Sequence, residues 1–289
     1  MKGVKRVTTL KDFYFSARKI LRENGIENPD LVARYLIKES VNVADIDIII
    51  NSGRLVSAAQ ESLINDHIKR HISGEPISRI FGEREFWGIP FKITPDVLDP
   101  RQDTETIIEA SLKRFIGNPP ERVLDMGTGS GCIIISLLSE WPNAKGVAVD
   151  ISEKALAVAE ENARINNLQK RIRFIQSNWG DSVKGKYDVI VSNPPYISNH
   201  EITNLSPEVK NYDPILALSG GDDGLDCYKI IISQIKRLLK QSGAAFLEIG
   251  YTQADEVMRL VGESGLSVST VHPDITGILR VVEISSGEK

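Results

Sequence analysis

Two clusters of residues have the types and spacing needed for group-transfer chemistry. Each directly follows a short apolar segment that predicts a buried parallel strand, residues 122–125 and 187–192. The first cluster is the run Gly127-Thr128-Gly129-Ser130-Gly131, and the second is Asn193-Pro194-Pro195-Tyr196. Glycines let a ligand approach the backbone closely, whereas a carboxamide beside two prolines can hold a planar nitrogen rigidly. Together the clusters predict methyl transfer from S-adenosylmethionine to an amide or amino nitrogen.

The glycine run alone does not define a nucleotide-binding site, so other residues must bind the ribose and the adenine. Asp150 ends the next predicted strand, and its carboxylate can accept both hydroxyls of a ribose. Asn178 and Trp179 follow the third strand, where they can bind an adenine edge and cover its face. Trp179 could instead be a core residue, and Asp125 could either contact the methionine amino end or hold the glycine run. A nicotinamide site is disfavoured, because its fingerprint needs a third glycine where Cys132 stands.

The Asn-Pro-Pro-Tyr turn suits a nitrogen acceptor. An amide nitrogen is a poor nucleophile because its lone pair is delocalised, so it needs orientation. The Asn193 side-chain oxygen and the Pro194 carbonyl can each accept one N–H, while Pro195 stiffens the turn and Tyr196 stacks on the planar group. We therefore predict catalytic roles for Asn193, Pro194 and Tyr196, and substrate contact by all four residues. The alternative is a purely structural turn.

Composition narrows the class of protein. The chain has 289 residues, 41% hydrophobic and 26% charged, which is typical of a soluble protein with two domains or one large α/β domain. Its net charge of −4 argues against extensive phosphate binding, so no stable nucleic acid complex is expected. Its two cysteines and four histidines lack metal-ligand spacing, so no metal is expected. With no apolar membrane segment or signal sequence, we expect a cytoplasmic monomer.

The surrounding segments predict the elements that position these clusters. Residues 8–75 have helical spacing, and alternation around Gly88 predicts a hairpin. From residue 121, strands alternate with helices, including helices over 152–166 and 225–240, which predicts a mostly parallel sheet with ligands at the carboxyl ends of its strands. The predicted strands cover residues 122–125, 146–150, 172–176, 187–192, 244–249, 267–271 and 279–284.

Several longer stretches resemble one family over nearly the whole chain, the HemK/PrmC-type glutamine N5-methyltransferases of class 1 peptide chain release factors. These stretches are Phe81-Gly-Glu-Arg-Glu-Phe-Trp-Gly-Ile-Pro90, Thr94-Pro-Asp-Val-Leu-Asp-Pro-Arg101, Asp103-Thr-Glu105, Val191-Ser-Asn-Pro-Pro-Tyr-Ile197 and Leu247-Glu-Ile-Gly250. The resemblance implies an α/β fold, a Rossmann-like seven-stranded S-adenosylmethionine-dependent methyltransferase domain joined by a β-hairpin to a small N-terminal helical bundle. The implied domains are 1–84 for substrate binding, 85–103 for the hairpin linker and 104–289 for the methyltransferase.

The same resemblance implies the substrate and the cofactor contacts. The substrate is the glutamine of the release factor's Gly-Gly-Gln loop. The implied cofactor-binding residues are Gly127, Thr128, Gly129, Ser130, Gly131, Asp150, Asn178, Trp179 and Asn193. Two positions depart from the family pattern, since Gln102 replaces a proline and Asn178 an aspartate.

Two alternatives remain open. Adenine methyltransferases of DNA and guanine methyltransferases of rRNA also use an Asn-Pro-Pro-Tyr-like turn. A protein that binds S-adenosylmethionine without catalysis is the alternative from another class, and measured turnover would exclude it.

Overall fold

The computed structural model describes residues 8–49 and 53–287. The chain divides into two compact units, Met1–Phe81 and Gly82–Lys289. The predicted hairpin falls within the larger unit. In the described residues, no helix combines the length and apolarity needed to cross a membrane, and no cluster of three or more His, Cys, Asp or Glu side chains could hold a metal ion.

The smaller unit is helical in its described part. Thr9 caps the first helix by accepting a hydrogen bond from the Asp12 amide, and Ser57 forms a capping box with Gln60. The helices pack around one apolar cluster that includes Phe13, Leu36 and Ile64. The two shortest helices were not predicted, because five residues give too little periodicity. The helices are α1 (Leu10–Glu23), α2 (Pro29–Val41), α3 (Asp45–Ile49), α4 (Ala58–Ile72) and α5 (Ile77–Phe81).

The larger unit opens with the hairpin β1 (Glu83–Phe86) and β2 (Ile89–Lys92). Trp87 and Gly88 at its tip both have positive φ, 53° and 66°, as a tight two-residue hairpin turn requires. The Asn162 side chain accepts from the Lys92 amide at 2.7 Å and donates to the Ser130 carbonyl at 2.9 Å. One buried side chain thus fastens the hairpin to the glycine run.

A seven-stranded mixed sheet forms the centre of this unit, in the order β5-β4-β3-β6-β7-β9-β8. Strands β3 to β7 are parallel, and β9 runs antiparallel to both β7 and β8. The order reverses between β3 and β6, where ligands bind in open α/β sheets. The strands are β3 (Arg122–Met126), β4 (Lys145–Asp150), β5 (Ile172–Gln176), β6 (Tyr187–Ser192), β7 (Leu239–Glu248), β8 (Ser267–Pro273) and β9 (Leu279–Ser285).

Helices cover both faces of the sheet. Along β3 the side chains alternate, with Val123 in one apolar cluster and Leu124 in the other. The first cluster includes residues of α6, α7 and α8, and the second includes residues of α11 and α12. The helices are α6 (Glu105–Arg114), α7 (Cys132–Glu140), α8 (Glu153–Ile165), α9 (Asn199–Ile202), α10 (Pro207–Tyr212), α11 (Asp226–Leu238) and α12 (Ala254–Glu263).

One predicted boundary is wrong. The sequence predicts a helix to residue 240 and a strand from 244, but α11 ends at Leu238 and β7 begins at Leu239. Leu239 pairs with Tyr187 across a register shift, and Lys240 forms an ion pair with Asp188 at 2.8 Å. These long-range contacts with β6 override the local helical pattern.

Candidate active site

A cavity of about 390 Å³ lies at the carboxyl edge of the sheet. Most of the residues predicted for the site line it, and they follow four neighbouring strands. They are Gly127, Thr128, Gly129 and Ser130 after β3, Asp150 at the end of β4, Asn178 and Trp179 after β5, and Asn193 and Pro195 after β6. Gly131, Pro194 and Tyr196 are not part of its lining. Adjacent strand ends therefore bring the two predicted clusters together.

The glycine run turns sharply because Gly127, Gly129 and Gly131 all have positive φ, 75°, 54° and 81°. Gly131 has a packing reason as well, since a Cβ there would lie 3.2 Å from the Ala159 Cβ. This glycine lets α7 approach α8 closely. Gly131 is therefore required by the contact between α7 and α8 and does not line the cavity.

Asp150 holds the run in shape. Its Oδ2 atom accepts from the Gly129 amide and its Oδ1 atom from the Ser152 amide, both at 2.9 Å. Burial raises the pKa of this carboxyl even though these backbone N–H groups favour the charged form. Each oxygen of Asp150 accepts one hydrogen bond from a backbone amide. The remaining lone pairs of the carboxylate can accept hydrogen bonds from a ligand in the cavity.

Asp125 lies beneath the same run and is fully buried. Its Oδ2 atom accepts from the Thr128 hydroxyl at 2.7 Å, so it does hold the run. No described group bonds its Oδ1 atom. Burial, chiefly, raises the pKa of this carboxyl to about 7. Asp125 therefore supports the glycine run from behind and does not itself line the cavity.

Trp179 is both a core residue and a residue of the cavity wall. It packs partly against the apolar cluster of α11 and α12 and also lines the cavity. Its φ of 51° is unusual for a bulky residue, and its ring fills the space where a Gly127 Cβ would stand, 3.0 Å away. Asn178, beside it, is exposed and lines the cavity. The apolar ring, the close glycine and nearby acceptors fit an adenosine-type ligand.

Asn193 has a fixed orientation. Its Nδ2 atom donates to the Thr104 hydroxyl oxygen at 3.0 Å, and no described group donates to its Oδ1 atom. Thr104 is buried at the start of α6 and lines the cavity. The anchored NH₂ group therefore leaves the side-chain oxygen as the acceptor for a substrate.

Thr104 was missed as a site residue. It lies 89 positions from Asn193 in the chain, and a threonine before a helix ordinarily predicts a cap. Its place within Asp103-Thr-Glu105, one of the stretches shared with the family, was the available signal.

The rest of the turn is buried or partly buried, and hydrogen bonds hold it in place. The Tyr196 hydroxyl donates to the Glu248 Oε1 atom at 3.2 Å, and the Tyr196 carbonyl accepts from the Gln253 Nε2 atom at 3.0 Å. Burial raises the pKa of the phenol above its ordinary value, so it stays protonated at neutral pH. The Ser192 hydroxyl donates to the Met126 carbonyl at 2.5 Å, which links the ends of β6 and β3.

Two segments of the chain match models of known protein families. Residues 15–82 match the PrmC N-terminal domain, and residues 104–208 match the methyltransferase small domain. A release factor glutamine methyltransferase of Bradyrhizobium diazoefficiens is 40% identical over 91% of this chain and 90% of its own length. The chain belongs to the release factor glutamine methyltransferase family. The family's member from Caulobacter vibrioides is 37% identical over 95% of each chain.

The larger unit is accordingly a methyltransferase domain of the Rossmann-like class. A methyltransferase from Pyrococcus furiosus has the same fold, with a TM-score of 0.54 and 18% identity over 78% of this chain and all of that one. The resemblance drawn from the motifs is confirmed, as are the fold class and the methyltransferase assignment.

Proposed function

We propose that the protein transfers a methyl group from S-adenosylmethionine to the side-chain amide N5 of the glutamine in the Gly-Gly-Gln loop of class 1 peptide chain release factors. One observation carries the proposal. The Asn193 carboxamide stands at the cavity with Nδ2 anchored on Thr104 and Oδ1 without a donor among the described residues. That arrangement selects a substrate that donates an N–H and rejects one that can only accept.

The cofactor site follows from the residues around the cavity. Asp150 binds the ribose hydroxyls, the backbone from Gly127 to Gly131 encloses the methionine portion, and Asn178 and Trp179 contact the adenine. Asn193 borders both ligands. When bound, S-adenosylmethionine supplies an electrophilic methyl group on a sulfonium.

The residues of the turn orient the acceptor. The Asn193 Oδ1 atom and the Pro194 carbonyl each accept one N–H of the glutamine amide, which aims the nitrogen lone pair at the methyl group. A nitrogen–carbon bond forms while the sulfur–carbon bond breaks, and one N–H proton then passes to water. Tyr196 is no base in this scheme, because its phenol is already protonated and donates to Glu248. Tyr196 stacks on the planar amide of the substrate, and Pro195 contacts the substrate and keeps the turn rigid.

The remaining assignments concern partners and location. The smaller helical unit binds the release factor, with 1–84, 85–103 and 104–289 as the functional divisions. The enzyme acts as a monomer in the cytoplasm and forms no stable nucleic acid complex, in keeping with its net charge of −4.

The test uses the full-length protein with methyl-labelled S-adenosylmethionine and a class 1 release factor. We expect label on the wild-type factor and none on a factor whose Gly-Gly-Gln glutamine is alanine. Asn193→Ala should abolish labelling, whereas Asn118→Ala, at an exposed loop position, should leave it unchanged. Label on DNA or rRNA instead would support the nucleic acid alternative. Cofactor binding without transfer to any of the three would support the non-catalytic one.

A further inference from the structure

The Asp103-Thr-Glu105 stretch leads into α6, and the proposed reaction uses only its threonine. Asp103 lies in the middle of a single 3₁₀ turn, Gln102–Thr104. The last residue of this turn, Thr104, accepts from the Asn193 Nδ2 atom at 3.0 Å. The contacts that hold the turn in place therefore also hold the partner of Asn193.

Asp103 forms an ion pair with Arg280 of β9. Its Oδ2 atom lies 3.0 Å from the Arg280 Nη2 atom. The same guanidinium donates from Nε to the Asp274 Oδ2 atom at 3.1 Å, and the Asp274 side chain is only 3% exposed. The Arg280 carbonyl accepts from the Ile249 amide at 2.8 Å, just beyond the end of β7. Because both its main chain and its guanidinium are held, Arg280 offers Asp103 a fixed partner.

The 3₁₀ turn depends on such side-chain contacts. Gln102, its first residue, is exposed, and no side-chain hydrogen bond caps the turn. The hydrogen bonds of a single 3₁₀ turn have poorer geometry than those of an α-helix. On one side of Gln102, Arg101 pairs with Asp213 at 2.5 Å. On the other side, Asp103 pairs with Arg280, so two ion pairs tie the turn to two different parts of the unit.

We propose that Arg280 is a positioning residue for the methyl acceptor: its ion pair with Asp103 keeps the Thr104 hydroxyl in place as the anchor of the Asn-Pro-Pro-Tyr turn. The inference rests on the proposed function, since this turn would orient the substrate nitrogen. Each link is direct, because Arg280 contacts Asp103, which adjoins Thr104 in the chain. Neither Asp103 nor Arg280 lines the cavity, so neither is assigned a contact with substrate or cofactor.

Asp103→Ala tests the proposal by removing the ion pair while Arg280 keeps its bond to Asp274. The Asp103 side chain is 43% exposed, so alanine should leave the fold intact. We expect kcat for release factor methylation to fall about 3- to 10-fold, because the Thr104 hydroxyl is less firmly placed. The Kd for S-adenosylmethionine, measured by calorimetry, should change less than about twofold.

Arg114→Gln is the matched control. It removes another ion pair that ties α6 to β9, the pair between Arg114 and Glu283 at 3.4 Å, but at the far end of the helix. Its kcat should stay within about twofold of wild type, because Thr104 keeps its own anchor. A general loss of support between helix and strand would instead slow both variants alike.

Two double variants separate positioning from general support of the fold. In a Thr104→Val background, Asp103→Ala should lower kcat by less than about a further twofold, because the hydroxyl that it positions is absent. Gln102→Pro should restore most of the rate lost in Asp103→Ala by fixing the first residue of the turn. Proline fits there, since Arg101 before it has φ −95° and ψ 143°, which is the conformation that a residue before proline prefers.

Amide hydrogen exchange, followed by NMR, examines the turn without any substrate. The Thr104 amide donates to the Arg101 carbonyl at 3.1 Å. Its exchange should be about 3- to 10-fold faster in Asp103→Ala than in wild type, and Gln102→Pro should slow it again.

The outcomes distinguish failure of this inference from failure of the proposed function. Wild-type kcat in Asp103→Ala overturns the inference, and so does an equally large effect of Asp103→Ala in the Thr104→Val background. If wild-type protein methylates no release factor, the proposed function fails, and the exchange rate of the Thr104 amide decides the positioning role: faster exchange in Asp103→Ala supports it and unchanged exchange overturns it. If Asp103→Ala does not fold, Arg280→Gln removes the same ion pair from the other side, and wild-type kcat in that variant overturns the inference.

Discussion

Replacing Thr104 with valine gives the sharpest test of how Asn193 is held. Valine keeps the branched shape but removes the hydroxyl that accepts the Asn193 Nδ2–H at 3.0 Å. The Asn193 Nδ2 atom then has no hydrogen-bond partner among the described residues, so nothing holds the amide in its present orientation. Turned around, it would present an N–H donor to the N–H donor of the substrate. The substitution therefore acts on the orientation of the Asn193 amide, and we expect kcat to change more than the Kd for S-adenosylmethionine.

The expected size follows from the loss of one partly buried hydrogen bond. Leaving a buried donor unsatisfied costs about 1–3 kcal/mol, which corresponds to a reduction in kcat of about 5- to 150-fold. Thr104 makes no side-chain cap on α6, so helix stability should not fall with the hydroxyl. The thermal midpoint should therefore change far less than kcat.

The assay compares initial rates of release factor methylation with calorimetric binding of S-adenosylmethionine. Thr104→Ser should recover most of the rate, because serine restores the hydroxyl. Ser111→Ala is the matched control, since Ser111 lies on α6 with a buried hydroxyl that has no hydrogen-bond partner among the described residues. Wild-type kcat in Thr104→Val would refute the reasoning, and so would a rate loss accounted for by weaker cofactor binding.

Three further predictions concern the cofactor side. Asp150→Asn should weaken S-adenosylmethionine binding about 10-fold or more, as measured by calorimetry. The NH₂ group of the asparagine would face the N–H of Gly129 or Ser152, so one hydrogen bond would be lost. Undiminished affinity would contradict the role of Asp150 in cofactor binding. Asn178→Asp should bind the cofactor at least as tightly as wild type, since a carboxylate keeps an acceptor for the adenine amino group, and a clear loss of affinity would count against that contact. The Asp125 pKa is raised from 3.8 to about 7 by burial, so its contribution to stability is full below pH 3.8 and lost as pH rises through about 7. The free energy of unfolding of Asp125→Asn relative to wild type should therefore rise by on the order of 2 kcal/mol from pH 5 to pH 8, and a flat difference in denaturant titrations would be the contrary result.

The parts of the fold that could be predicted are those with local signals. The glycine run and the Asn193 turn each follow an apolar strand, and parallel strands present their carboxyl ends at one edge. Their convergence on one cavity could therefore be anticipated. Thr104 and Glu248 could not, because their contacts with the turn join residues 89 and 52 positions apart. The start of β7 was missed for the same reason, since pairing with β6 decides it.

The reversal of strand order between β3 and β6 determines where the two halves of the site are joined. Most residues that would hold the cofactor follow β3, β4 and β5, whereas Asn193 and the rest of the acceptor turn follow β6. The Tyr196 hydroxyl of this turn donates to Glu248 at the end of β7. The Ser192–Met126 hydrogen bond joins the two halves through a backbone carbonyl that any residue at position 126 would supply. The link between the two strand ends therefore does not depend on which side chain stands at position 126, and it keeps the two halves of the site at one edge of the sheet.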